Sequence, residues 1–396
     1  MHTPKSILLF SLFTTGLSLL LVVLSASLSL GATNYPIYSA DDLEDLTLAP
    51  GDTVIWENGT YANQEVNFIR FFGTAEAPIV LKAETPGGVI FTGESPMKVF
   101  GTHLIVEGFY WLEGIGTNNH VETRRSGSST DLCADCIIRE CAFDNLFTTA
   151  PDKSRWIVLR GQRNIAENCT FQNKNSTGVM ILVELSSQGS TTADHIIRNN
   201  YFYNVTAKDD FTTNSGDSET IRTGSSGNQT VNARVRVEHN YFQSTDGENE
   251  IISNKSAENR YLHNTFRGSR GSLVLRHGAR ARVEGNFFLG KGKAKSGGIR
   301  VTARDHDHVI VNNYMAGLVN DNDPWNNGIT IVAGDAASGG NSNGYQRVDD
   351  VVIAFNTIYD AGDPIFSTIA VPTYPPAGTL ARTKSTAPGG NQRHRC

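Results

Sequence analysis

The sequence predicts an all-β chain wound as a right-handed parallel β-helix, a solenoid, and three observations carry that reading. A short phrase recurs nine times at loose spacing, a second set of apolar runs recurs between its copies, and 38 glycines with many asparagines supply frequent turns. Helical bundles rarely have this composition.

The phrase is a few apolar residues, then Asn, Cys or Gly, then a small or aromatic residue, then an aromatic or aliphatic one. Its copies are LIVEGFYW at Gly108, IIRECAF at Cys141, NIAENCTF at Cys169, IIRNNYF at Asn200, VRVEHNYF at Asn240, RYLHNTF at Asn264, RVEGNFF at Asn286, VIVNNYM at Asn313 and VIAFNTI at Asn356. Successive copies lie 33, 28, 31, 40, 24, 22, 27 and 43 residues apart. A fixed phrase with a variable period fits coils that add short strands to stacked sheets while loops of any length bulge between them. An Asn at the same turn of every coil can stack and hydrogen-bond to its neighbours and to the bent backbone.

In chain order, residues 1–32 read as an export signal, with Lys5 followed by an apolar run from Ile7 into Leu30 and small residues Gly31 and Ala32 at its end. Cleavage near Ala32 is expected, although the run is also long enough to serve as an uncleaved membrane anchor. Either way the remainder lies outside the cytoplasm, in a secreted or periplasmic location. Ser39-Ala40-Asp41-Asp42 ahead of Leu43 and Leu46 predicts one short capped helix that closes the first end of the solenoid. Thr53–Trp56, Ile79–Lys82 and Val89–Thr92 then read as strands separated by Gly and Pro.

Between copies of the phrase runs a second strand series: RWIVLRG from Arg155, VMILVEL from Val179, SETIRTG from Ser218, NEIISNK from Asn249, SLVLRHG from Ser272, GGIRVTA from Gly297 and GITIVAG from Gly328. Laid over one another, these place Glu219 above Glu250, Asp217 above Glu248, and Arg222 near Arg276, on one charged sheet face. The solenoid domain is assigned to residues 33–374. Residues 375–396 have no strand period, carry Lys and Arg without an acidic residue, and read as a disordered or aberrant tail.

Length and charge set bounds. The 396 residues, 39% hydrophobic, suffice for one large core or two modest ones, and a net charge of −6 gives no reason to expect a nucleic-acid partner. Cysteines are sparse. Cys133 and Cys136 form a CxxC close to Cys141, which admits a zinc or redox reading, yet no second CxxC or paired His follows at the spacing such sites use. Cys141 and Cys169 occupy the ladder position of the phrase and read as buried coil-stackers.

The chemistry concentrates between Gly247 and Gly278. Clustered carboxylates at Asp217, Glu219, Glu248 and Glu250 repel one another unless a cation sits among them, and oxygen ligands suit a hard cation, calcium above all outside the cell; the plainer reading is a solvated acidic face. Lys255 and Arg276 beside them favour the first. If a uronic acid bridges metal and arginine, both neutralise its carboxylate and stabilise the charge that forms when the C5 proton leaves. Lys255, beside other positive charges, then serves as the base.

At these residues the sequence resembles polysaccharide lyase family 6, the group of alginate lyases and chondroitinase B. The run E-N-E-I-I-S-N-K-S at Glu248 to Ser256, with R-H-G at Arg276 to Gly278, carries the resemblance; S-E-T-I-R-T-G from Ser218, N-F-F-L-G-K-G from Asn286 and G-G-I-R-V from Gly297 are similar as well. It extends from about Tyr35 to about Ile369. The resemblance implies β-elimination of a uronate polysaccharide, with Lys255 as base, Arg276 as carboxylate neutraliser, and Glu248 and Glu250 as ligands of Ca2+. A third ligand, an Asn in the family, is expected from the preceding coil; no Asn falls at that place, so Asp217 is assigned, with Asn214 in reserve.

His277 is expected to donate a proton, to hydrogen-bond substrate or simply to pack. Arg300 is expected to meet a neighbouring sugar carboxylate, and Arg222 either touches ligand or pairs with Glu250. Asp305, His306, Asp307 and His308 read as a solvated loop rather than a metal cluster. Alginate is the expected partner, with chondroitin or dermatan sulfate as the alternative substrate. Two rivals remain: a β-helix glycoside hydrolase working with paired carboxylates, and a non-catalytic module that grips polysaccharide.

Overall fold

A computed structural model describes residues 31–127, 130–148, 153–185, 192–206, 217–302, 307–319, 327–332, 348, 350–367 and 384–386. Among these, three parallel sheets of 12, 11 and 12 strands wrap one continuous core. Every coil adds one strand to each sheet, and the pairing is parallel throughout, as in Ile196–Arg198 on Arg236–Glu238 and Tyr201–Thr206 on Tyr241–Asp246. The fold is the expected parallel β-helix. Its one α-helix among the described residues, Ala40–Glu44, begins where Ser39 Oγ accepts from the Asp42 amide at 3.2 Å, and it buries Leu43.

The recurring phrase is a corner. Its apolar residues form a strand of the first sheet, the ladder residue turns the chain, and the residues after it open the next sheet, as in Arg260–Leu262, Asn264 and Thr265–Arg267. The turn is sharp because the residue before the ladder position is left-handed: Glu140, Asn168, Asn199, His239, His263, Asn312 and Phe355 have φ between 54° and 58°. Such a bend strands backbone amides inside the protein, and the ladder side chains satisfy them. The amide of Cys169 donates to Asn200 Oδ1, that of Asn200 to Asn240, Asn240 to Asn264, Asn264 to Asn286, Asn286 to Asn313 and Asn313 to Asn356, all at 2.9–3.0 Å.

Two residues beyond each ladder residue the side chain points inward. Phe143, Phe171, Phe202, Phe242, Phe266 and Phe288 stack with centroids 4.6–5.1 Å apart and planes within 13°. This spacing is the distance between paired strands, so coil stacking and ring stacking reinforce each other.

A second polar ladder, which the sequence reading did not find, lines the corner before the first sheet. There Asn164 Oδ1 accepts from Cys136, His195 Nδ1 from Asn164, Asn259 Oδ1 from Val235 and His308 Nδ1 from Ala281, at 2.9–3.1 Å. His308 therefore corrects the expectation of a solvated loop: it is fully buried, while Asp307 is exposed and Asp305 and His306 lie outside the described residues. Cys141 and Cys169 are buried coil-stackers as expected, and Cys133 and Cys136 share the core, their thiols donating to the Val99 and Gly101 carbonyls.

The expected signal segment, except for its last two residues, lies outside the described residues. No helix among the described residues is long and apolar enough to cross a membrane. Of the expected tail, only Lys384–Thr386 are described, and they form a strand paired with Thr357–Ala361; the rest lies outside the described residues.

Two predictions follow from the ladders. Asn264→Ala removes the acceptor of the Asn240 amide and of its side chain, together with a donor to the Val237 carbonyl, and urea unfolding should register a loss of about 3 kcal/mol. Burial holds the His195 imidazole down to about 4, below its unfolded value, so its contribution is complete above about pH 6.5 and is lost as pH falls from there toward 4. On the order of 3 kcal/mol is at stake. His195→Asn, which keeps an acceptor of the kind Asn164 and Asn259 provide, should flatten the fall in urea midpoint between pH 7 and 4.

Candidate active site

The acidic and basic residues singled out in the sequence meet on the 11-stranded sheet, on the adjacent strands Ile221–Thr223, Glu250–Lys255, Gly271–His277 and Ser296–Val301. An inward column, Ile221, Ile252, Leu273 and Ile299, fixes the register from the core side. The pairing between Glu250–Lys255 and Gly271–His277 is broken twice. Glu250 opposes Ser272 and Ile252 opposes Leu273, leaving Ile251 extra; Asn254 opposes Leu275 and Lys255 opposes His277, leaving Arg276 extra. Each irregularity re-aims side chains out of the plain alternation, so Arg276 is delivered beside Lys255 by a bulge.

Two glycines bracket this stretch for steric reasons. A Cβ on Gly247 would come within 2.1 Å of the Ser218 carbonyl oxygen, and one on Gly278, at φ 84°, within 2.2 Å of that of Ser256. Neighbouring coils approach too closely here for any side chain.

Glu219, Glu248 and Glu250 converge, each offering a carboxylate oxygen within 4.8 Å of the others, and all three are buried. Glu219 Oε1 meets Lys255 Nζ at 3.3 Å and Arg222 Nη1 at 3.7 Å, and Glu250 Oε1 accepts from Arg276 Nη1 at 2.6 Å. The remaining oxygen, Oε2, of each of the three glutamates has no hydrogen-bond partner. Burial pushes the Glu248 carboxyl well above its ordinary range, and the charges of Glu219 and Glu250 push it further. Burial alone would raise Glu250 as well, but the Arg276 guanidinium, followed by Lys255, holds it below. Three buried acids with three unpartnered oxygens form a donor set that a hard divalent cation would complete.

Asp217, the expected third ligand, lies outside that set. It sits at φ 64°, in the turn before the strand, and its carboxylate pairs with Lys153 and Arg222. Glu219 is the carboxylate of that coil that converges with Glu248 and Glu250. Its parity was visible in the sequence, two positions before Ile221 as Glu250 lies two before Ile252, but Asp217 shares it, four before Ile221 as Glu248 lies four before Ile252. Asn214, the reserve, lies outside the described residues. Arg222 is also displaced from expectation: it aligns with Ser253, Val274 and Arg300 rather than with Arg276, and it pairs with Asp217 and Glu219 rather than Glu250.

His277 is fully buried with neither ring nitrogen hydrogen-bonded, and burial, then the charges of Arg276 and Lys255, lower it to about 4. It is a neutral imidazole at neutral pH. Arg300 is buried in Ser296–Val301, one coil beyond the strand of Arg276.

Residues 39–372 match the family model described as Chondroitinase B. Among solved structures, a polysaccharide lyase family 6 alginate lyase, AlyGC, determined as a point mutant, is similar at 31% identity and a TM-score of 0.74, covering 83% of this chain and 44% of that one. Its unmutated form gives 27% identity and a TM-score of 0.77, with 89% and 53% covered. This chain thus spans about half the length of AlyGC. A mannuronic acid specific family 6 lyase from human gut microbiota is 27% identical with a TM-score of 0.74, and there 89% of this chain covers 82% of the other. No curated protein matches.

The convergent carboxylates predict a cation-dependent stability. Calcium at a hundredfold excess over its dissociation constant should add about 2.7 kcal/mol and raise the thermal midpoint. Glu219→Gln should abolish that increment, and calorimetry with and without chelator checks it.

Proposed function

The chain belongs to the chondroitinase B family, polysaccharide lyase family 6, and from that premise we propose that it is an exported enzyme that cleaves alginate by β-elimination. One observation carries the reading: a lysine amine and an arginine guanidinium, brought together by a bulge, face three buried glutamates whose unpartnered oxygens could hold a cation. The alginate lyases among the similar structures favour alginate over chondroitin or dermatan sulfate. The apolar run from Ile7 to Leu30 supports export.

Arg276 receives the carboxylate of the sugar to be cleaved and neutralises it, which makes the C5 proton acidic. Lys255 takes that proton as the C5–H bond breaks. The electron pair forms the C4–C5 double bond, the bond from C4 to the glycosidic oxygen breaks, and the leaving oxygen acquires a proton. His277, uncharged and with its nitrogens unbonded though its ring is buried, is assigned to hydrogen-bond the sugar. Calcium held by Glu219, Glu248 and Glu250 would supply further positive charge against the sugar carboxylate. Arg222 keeps Glu219 and Asp217 in position, and Arg300 extends the basic character of the face toward the next sugar.

A glycoside hydrolase built on the same face would release reducing ends without an unsaturated product, and a binding module would release neither. Incubation with alginate, chondroitin sulfate and dermatan sulfate, followed by ultraviolet absorbance of the unsaturated uronate, separates these outcomes. Absorbance should rise with alginate, and Lys255→Ala should slow it by at least about a thousandfold. No rise on any uronate polymer overturns the assignment.

A further inference from the structure

The first sheet, which holds none of the residues of the lyase site, carries on its outer side a groove of about 560 Å3 whose lining is dominated by arginine. Arg236, Arg260 and Arg282 occupy one register column on three successive coils. Arg234 and Arg280 flank the column from the preceding turn, where both are left-handed. Among the described residues, Asp194 and Glu258 are the carboxylates lining the groove, so five arginines face two acids in a chain whose net charge is −6.

The acids do not consume the arginines. Asp194 pairs with Arg234, Glu258 with Arg280, and Arg282 turns to Glu284 in the neighbouring column. Among the described residues, the guanidinium groups of Arg236 and Arg260 have no hydrogen-bond or ion-pair partner. Two adjacent unpaired cations in one row repel each other, so an external anion is the simplest partner for them.

We propose that this groove is a second binding site for the polyuronate chain, separate from the lyase site and without chemistry of its own. Guanidinium groups stay protonated and cannot act as a base, so the groove can hold an anion but not eliminate from it. Its geometry selects a polymer: consecutive coils place a cation at each strand spacing, about 4.8 Å, which is comparable to the length of one pyranose unit. A chain with one carboxylate per sugar, laid along the solenoid axis, would meet Arg236, Arg260 and Arg282 in turn, and planar guanidinium suits carboxylate. An isolated small anion would be served better by convergent donors than by a row. The identity of the polymer rests on the proposed function; the presence of an anion site does not.

The test uses the full chain carrying Lys255→Ala, so that polymer is not degraded, in electrophoresis through gels containing alginate. Arg236→Gln with Arg260→Gln should weaken retardation about tenfold in apparent dissociation constant, while Arg236→Lys with Arg260→Lys, which keeps the charge, should retain most of it. Circular dichroism confirms folding of both pairs. Equal retardation of parent and Gln pair overturns the proposal. Retardation by polyphosphate as strong as by alginate, lost in the same Gln pair, overturns the uronate assignment. Failure of the lyase reading is separate, since it appears as no unsaturated product from the protein with Lys255 in place.

Discussion

Every coil of this solenoid must turn the backbone through tight corners inside a hydrophobic stack, and the structure depends on satisfying the amides those corners strand. The column from Asn200 to Asn356 does so by handing each coil's amide to the side chain of the next, so that no coil is complete without its neighbour. A column of His and Asn side chains does the same at a second corner. Cooperativity along the axis then arises from polar links as well as from the stacked phenylalanines. Loops between strands are free to vary in length because the corners, not the loops, hold the coils in register.

The candidate active site uses that rigidity to hold an arrangement that folding alone disfavours. Glu219, Glu248 and Glu250 bring negative charge together in a buried place, offset in part by Lys255, Arg222 and Arg276. Two irregularities in one strand pair carry the cost of the geometry, and the aliphatic column beneath, Ile221 to Ile299, keeps the surrounding register fixed. The unpartnered oxygens at the glutamates form a donor set that a hard cation could complete. The positive side chains placed around it are suited to receive an anion.

Charge is distributed unevenly around the coil. One sheet mixes buried acids and bases at a reactive centre, whereas the first sheet presents arginines in a row with few acids to answer them. Since each coil adds one strand to every sheet, a residue type repeated at one position of the coil becomes a line along the axis. A solenoid therefore builds linear binding surfaces from local substitutions, and linear polymers are the ligands that match them.

Much of the fold was legible in the sequence because the corner constraint repeats: the phrase around Asn264 looks like that around Asn240 since both must do the same work. The second ladder was not legible, because Asn164, His195, Asn259 and His308 do one job with two residue types and no flanking phrase. In the candidate site, Lys255, Arg276, Glu248 and Glu250 could be found from their motif. The third carboxylate could not be chosen, because Asp217 and Glu219 share the same parity and only the backbone, left-handed at Asp217, separates them. The sequence by itself determined the coil, the sheet that carries the chemistry and the residue types available there. Only the tertiary structure decided which of them converge, because strand register, bulges and backbone handedness set side-chain direction, and those emerge when neighbouring coils pack.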